Sequence, residues 1–374
     1  MVNMKYAPIL KWKAAEIGAL HDLTKEQKKI VAPVFEFVRP LKISDKEIRD
    51  GVKSPEDKLL RVLSESIPED ILKKWGDGRP FFADFTLIFP EDLRKKFAEE
   101  FCKNSEKRHL EFISVVNLSA DSSDYQKHIV KLVNSYASSK LCIRLNSAEI
   151  QDVDMANSLL RQFLSTSNLV RPNVFLLVDL KEKTSDDMYN MAFNNIQKIE
   201  GVAEYANVIL AGGAFPKDMS QYKKDEEDNH QKREDWNGWV SRAKNSIART
   251  PVFADYTIRH PVYDEIVIKY QSTATIKYTT KDRWNIYKGA KGKFDNYLAY
   301  ASILRVSPDF YGAEFSAGDL FIDKKGEYFP TYMEEVNNSI DGKVGGTGST
   351  EQWLRAGINH HIAVVVDQIS NLGD

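Results

Sequence analysis

Seven polar side chains share one placement: each stands two residues after an apolar or weakly polar residue, near the end of a short apolar run. The pairs are Ile9 and Lys11, Val34 and Glu36, Phe82 and Asp84, Val115 and Asn117, Cys142 and Arg144, Leu177 and Asp179, and Phe253 and Asp255. Side chains two apart on a β-strand share a face. Each pair therefore sets one residue inside a strand-built core and a polar one above it, at the rim. Lys13 and Glu16 lie just beyond the first run and extend the set. Carboxylates gathered at a rim can accept and donate protons, and cations beside them can neutralise an anion. Glu36, Asp179 and Asp255 are the acid–base candidates. Lys11, Lys13 and Arg144 are the anion-binding candidates, with Asp84 and Asn117 as further binding groups. The same set also fits a layered ion-pair interior, where each buried charge is tolerated because its neighbour is opposite in sign. Burying so many ionisable groups for structure alone costs desolvation that apolar packing avoids, which favours a pocket.

Other chemistry is less well signalled. Glu36, Asp84, Asp179 and Asp255 are oxygen donors of the kind that bind magnesium, calcium or manganese. No H-x-H or H-E-x-x-H pattern accompanies them, and Lys11, Lys13 and Arg144 compete for the same carboxylates, so no metal or other cofactor is assigned. His260, just past the last run, is a general acid–base candidate, although a loop histidine also serves simply as a hydrogen-bonding residue. His360 and His361 are adjacent and diverge by about 100° on a helix, so at most one faces a site; His360 is counted among the binding residues. Gly212, in Ala211-Gly212-Gly213, lacks a side chain where a ligand or backbone could approach closely. Gly345 to Thr350 could form an anion-binding nest, but it has no phosphate-loop lysine and reads as a lid or linker. Arg283, Trp284, Tyr287 and Lys288 offer stacking and cationic contacts for a nucleotide base, while aromatic residues on paired strands also serve packing.

The elements that must position these residues are eight apolar runs: Ala7 to Lys11, Ile30 to Phe37, Pro80 to Leu87, Leu110 to Leu118, Lys140 to Leu145, Asn173 to Leu180, Asn207 to Gly212 and Pro251 to Ile258. Amphipathic segments alternate with them, and two carry helix-start signals: Ser54-Pro55-Glu56-Asp57, and Thr184-Ser185-Asp186-Asp187 with Thr184 as cap and acid at its third position. Alternation predicts parallel strands joined by helices, and the count of eight favours a closed (β/α)8 TIM-like barrel over an open doubly wound sheet. The expected organisation is one domain over 1–374. Residues 1–260 form the barrel core, and a C-terminal extension over 261–374 completes the barrel and covers its mouth. Within the extension, Gln271 to Thr280 and Arg283 to Tyr287 predict a β-hairpin, Phe294 to Leu304 a helix, Phe315 to Asp319 a loop, Gly342 to Ser349 a flexible segment, and Trp353 to Leu372 a last barrel helix. The charged run from Tyr222 to Asp235 reads as a solvated loop.

Bulk properties narrow the partners. The 374 residues are 42% hydrophobic and 28% charged with a net charge of −2, the balance of a globular chain with a large core and no global attraction for nucleic acid or anionic membrane. Cys102 and Cys142 form no C-x-x-C pair, which argues against a disulfide framework or structural zinc and for a reducing compartment. No secretory n-region opens the chain and no stretch of about 18 apolar residues occurs, so a cytoplasmic location without membrane spanning is expected.

The segment Tyr6-Ala7-Pro8-Ile9-Leu10-Lys11-Trp12-Lys13 with Glu16 and Ala19-Leu20, followed by Pro33-Val34-Phe35-Glu36, resembles the opening of the Beta protein family of bacterial and phage proteins. Phe253-Ala254-Asp255-Tyr256 with Pro261, Arg283-Trp284, Lys288-Gly289, Phe315-Ser316-Ala317-Gly318-Asp319, and Trp353 with Asn359-His360-His361 are similar to its later blocks, in order. The resemblance brings no established reaction. It implies an accessory or mobile-element setting, with antiviral defence as the suggested context, and it favours the extension as part of the site. Two function classes follow. One is an enzyme acting on a small anionic substrate, phosphorylated or nucleotide-like, with hydrolysis as the default reaction. The other is a non-catalytic sensor that binds a protein partner, such as a nuclease, through the extension and the 222–235 run.

Overall fold

Each of the eight apolar runs becomes a parallel strand. They are β1 (Ile9–Lys11), β2 (Val34–Glu36), β3 (Phe81–Asp84), β4 (Phe112–Asn117), β5 (Ser139–Asn146), β6 (Val174–Asp179), β7 (Asn207–Gly212) and β9 (Val252–Asp255); β8 (His230–Lys232) lies elsewhere. The computed structural model describes residues 4–136, 139–224, 229–244, 248–263, 273–339 and 344–372. Strand order follows chain order, β1-β2-β3-β4-β5-β6-β7-β9, and every neighbouring pair is parallel. Tyr6 bridges to both Val31 and Phe253, and the Ala7 amide donates to the Phe253 carbonyl at 2.9 Å, so the first strand meets the last. The result is an α/β fold with a nearly closed eight-stranded parallel barrel of the TIM type.

The chain forms two compact units. The first contains Met1–Trp12, Ile30–Gly213 and Gly238–Asp255; the second contains Lys13–Lys29, Ala214–Asn237 and Tyr256–Asp374. Two segments of the second unit thus come from within the stretch assigned above to the barrel core. In the first unit, connecting helices bury one apolar face each. Helix Glu91–Glu106 turns Leu93, Phe97, Ala98, Phe101 and Cys102 inward, a spacing of three and four that matches the helical period. Both cysteines are free and buried, and burial pushes the Cys102 thiol up to about 12, which leaves it inert as a nucleophile. Ser54 caps its helix by accepting from the Asp57 amide, with Pro55 in the first turn. The cap of helix Asp186–Ile196 is Ser185, one residue beyond Thr184, because the Ser185 side chain is the one that accepts from the Met188 amide.

The second unit is built on a three-stranded antiparallel sheet, β10 (Thr273–Thr279), β11 (Arg283–Lys291) and β8, in that order. Gln271 and Ser272 lie outside the described residues. Buried Tyr278, Tyr297, Leu298, Ile322 and Trp353 form its core, with the Trp353 and Tyr297 rings stacked at 4.8 Å. Two expectations are corrected here. Phe315 to Asp319 is a helix start instead of a loop: Ser316 accepts from the Asp319 amide and opens helix Ala317–Asn338. The charged run is not a fully solvated loop, for residues 230–232 form β8, and Arg233 and Asp235 are buried; Arg233 donates to the Thr280 carbonyl at 3.0 Å and to Gln368 at 2.8 Å, which makes the burial tolerable. Residues 225–228 of that run, and 342–343 of the Gly-rich segment, fall outside the described residues. Helix Thr350–Ser370 packs on helix Ala14–His21: Arg355 grips Asp22 through two hydrogen bonds of 2.6 Å, and Asn359 donates to the Ala19 carbonyl at 3.0 Å. Among the described residues no helix is long and apolar enough to cross a membrane.

Helices Ala317–Asn338 and Thr350–Ser370 approach closely at Gly318, where an added Cβ would lie 2.2 Å from the Ala356 carbonyl oxygen. That neighbour is backbone and cannot rotate away. Gly318→Ala should therefore lower stability by about 1–3 kcal/mol in urea unfolding; a loss below the scatter of surface substitutions would show that the helices slide apart freely.

Candidate functional site

Register assembles the polar rim. Ile9, Val34 and Phe82 are cross-strand partners in one row, and Lys11, Glu36 and Asp84 are partners two residues further on. Asn117 pairs with Arg144, while Asp179 pairs with Asn146, so Arg144 is level with Asn117 and two residues below Asp179, and its long side chain spans the difference. The guanidinium is then surrounded by carboxylates. Both of its terminal nitrogens donate to Glu36 Oε1 at 3.0 Å, Nη1 also bonds Asp84 Oδ2, and Nε and Nη2 donate to Asp179 Oδ2 at 3.1 and 2.6 Å. Lys11 Nζ lies 3.1 Å from Glu36 Oε2. Asp84 accepts from the Thr86 amide at 2.8 Å, and Asn117 donates to the Thr86 hydroxyl at 2.8 Å, which ties β4 to the same network. Asp255 accepts from the Tyr6 hydroxyl at 2.7 Å.

Lys11, Glu36, Asp84, Arg144, Asp179 and Asp255 are each no more than 4% exposed. Burial works against the charged form of Glu36, but Lys11, Lys181 and Arg144 together outweigh it and hold the carboxyl far below its ordinary value. Asp179 is likewise opposed by burial and held low by Lys181 and Arg144. Both are anionic at neutral pH, and the cations that keep them so also make them weak proton acceptors.

Lys181 was not legible as a site residue. It is two residues past Asp179, its Nζ lies 3.3 Å from Asp179 and 3.7 Å from Glu36, and its side chain is 38% exposed, the accessible cation of this network. Its backbone sits at φ 52°, unusual for a non-glycine residue, and its amide donates to Asp179 Oδ1 at 3.0 Å. Tyr6 and Thr86 were missed as well, because neither occupies the apolar-then-polar pair at a strand end.

The remaining expected site residues have surroundings of their own. Gly212 makes room for a side chain: a Cβ there would lie 2.3 Å from the Tyr189 hydroxyl. Lys13, His260, Arg283 and His360 belong to the second unit. Lys13 lies over the Tyr263 ring at 4.5 Å. His260 is half-buried and takes the Val262 amide at 3.2 Å, closing its own turn. Arg283 is exposed beside Asn285 and Asp309. His360 is wholly buried, with Nδ1 2.8 Å from Asp319, Nε2 2.8 Å from the Thr279 carbonyl, and its ring stacked on Tyr278 at 4.0 Å. His361 turns instead to Thr279 Oγ1 at 3.0 Å, the divergence expected of helical neighbours. Among the described residues no group of three or more His, Cys, Asp or Glu could hold a metal ion.

Removing Arg144 leaves three buried carboxylates without their shared cation, so Arg144→Met should cost about 3–5 kcal/mol, whereas Lys181→Ala should cost about 1 kcal/mol or less. Equal effects in chemical denaturation would sink this ranking. Acid should act through the same groups. Because Glu36 and Asp179 titrate lower in the folded state than their ordinary 4.5 and 3.8, their contribution is complete above those values and is lost as pH falls below them. Unfolding free energy measured against pH should decline below about 4.5 and do so less in Arg144→Met.

The chain has relatives. Protein beta of Enterobacteria phage P4 is 20% identical over 367 residues, covering 96% of this chain and 92% of that protein. The sequence profile of the Beta protein family matches residues 6–367, through β1, the whole ion network and the final helix, and the chain belongs to the Beta protein family.

Proposed function

We propose that this barrel is an enzyme that binds a small anionic substrate, phosphorylated or nucleotide-like, at the C-terminal ends of its strands and hydrolyses it. Lys181 carries the reading. It is the exposed cation of an otherwise buried network, at the end of the barrel where enzymes of this fold place their sites, and its left-handed backbone is the kind of local strain that clusters at such sites. Lys181 meets the anion. Arg144 and Lys11 are committed to carboxylates and, with Lys181, keep Glu36 and Asp179 ionised as the counter-charge that positions the cations; Asp255, held by Tyr6, takes a proton from water as its oxygen attacks, and the leaving group departs with the bonding electrons. The similarity to a phage protein supports a mobile-element or phage-defence setting.

The rival reading is a non-catalytic sensor or partner-binding barrel. Near-complete burial of five network members favours it, since a structural ion-pair layer has the same exposure. Thermal unfolding against a panel of nucleotides, sugar phosphates and dicarboxylates separates the two. A substrate present at about 100 times its Kd stabilises by about 2.7 kcal/mol, and Lys181→Ala should abolish that gain while leaving the unliganded midpoint nearly unchanged. If no anion distinguishes wild type from the variant, the sensor reading stands.

A further inference from the structure

The second unit holds a lysine whose surroundings differ from every ion pair described above. Lys277 lies on β10, on the face shared with Thr273 and Thr275, which is less buried than the alternate face of Ala274, Ile276 and Tyr278. Its Nζ donates to the Ile258 carbonyl at 3.3 Å and lies over the Phe215 ring at 4.3 Å. Among the described residues no carboxylate lies within ion-pair distance of it. Helix Thr350–Ser370 fixes the floor: a Cβ on Gly357 would lie 2.8 Å from Ile258 Cδ1 and 3.1 Å from the Lys277 carbonyl.

Two further observations mark the same place. The turn after Tyr256 carries Thr257 at φ 57°, a left-handed conformation that is strained for a β-branched residue. Arg259 follows, partly exposed, with Nε 3.9 Å from Glu16 Oε1, and among the described residues that buried oxygen accepts no hydrogen bond, so the guanidinium is only loosely held and keeps its other donors for a ligand.

We propose that Lys277 is a nucleophilic amine that captures a small carbonyl compound bearing an anionic group, with Arg259 holding the anion. Burial, reinforced by the positive charge of Arg259, brings the ammonium down to about 7, so that near neutrality about half of it is the free amine. Desolvation beside a second cation is a known way to make a lysine reactive. The nitrogen lone pair attacks the carbonyl carbon, the carbon–oxygen double bond becomes a carbinolamine hydroxyl, and loss of water carries away that oxygen with both amine hydrogens, leaving a C=N bond. No oxidant or reductant is needed.

The probe is glyoxylate with cyanoborohydride, which delivers hydride to the imine carbon and fixes the adduct for peptide mapping of the full-length protein. At about pH 7.5, Lys277 should be modified about tenfold faster than the exposed Lys25 and Lys29, with a half-maximal rate near pH 7. Arg259→Gln should reduce glyoxylate labelling several-fold more than labelling by uncharged propionaldehyde. Lys181→Ala should leave Lys277 labelling unchanged, so the two sites succeed or fail separately. The wild-type map needs no variant at Lys277, and the folding of Arg259→Gln is checked by circular dichroism. Labelling of Lys277 no faster than of Lys25, or a half-maximal rate close to that of an ordinary lysine, overturns the proposal.

Discussion

One guanidinium sets the upper layer of the barrel. Arg144 reaches the final residues of β2, β3 and β6 at once, and only a planar cation with several fixed donors can satisfy three carboxylates from one position. A lysine in its place would offer a point charge to the same three partners. The consequence is geometric as well as electrostatic, because strands that are not sequence neighbours are held to a common height by a single side chain. The described network sets Glu36, Asp84 and Asp179 against Lys11, Arg144 and Lys181, and only the last of these cations meets solvent appreciably. Charge balance at the barrel's upper end is thus adjustable at its outermost member.

Period-two patterning made most of the first unit legible. A strand end that reads apolar-then-polar is a local signal carried by seven of the eight runs, and the eight fold in sequence order with the neighbours they have in the chain. The gathering of Lys11, Glu36, Asp84, Arg144 and Asp179 followed from the same pattern, because register converts equal distances from strand ends into a shared layer. What the pattern could not show was the strength of their mutual pairing, which depends on side-chain reach across strands. Nor could it show Lys181, whose direction is set by a backbone turn. Lys13, His260, Arg283 and His360 belong to the second unit, whose fold the strand-end pattern does not describe.

Charge runs and histidine pairs misled for a common reason. Polar residues signal exposure only when their hydrogen bonds go to water, and Arg233 and His360 direct theirs to carbonyls, to Gln368 and to Asp319. Lys277 is the contrasting case. Among the described residues its amine meets the Ile258 carbonyl and the Phe215 ring and no carboxylate, so burial acts on its proton instead of being offset by a counter-charge.

The contact between helices Ala14–His21 and Thr350–Ser370 has a consequence for biosynthesis. Asn359 and Ala19 are 340 residues apart in the chain, and a ribosome adding about 5–20 residues per second needs roughly 17–70 s to make the partner after the first helix has emerged. The first helix of the second unit therefore waits through the synthesis of nearly the whole barrel. Its fate in that interval, sheltered by a chaperone or held against nascent chain, falls to the cell and not to the finished fold.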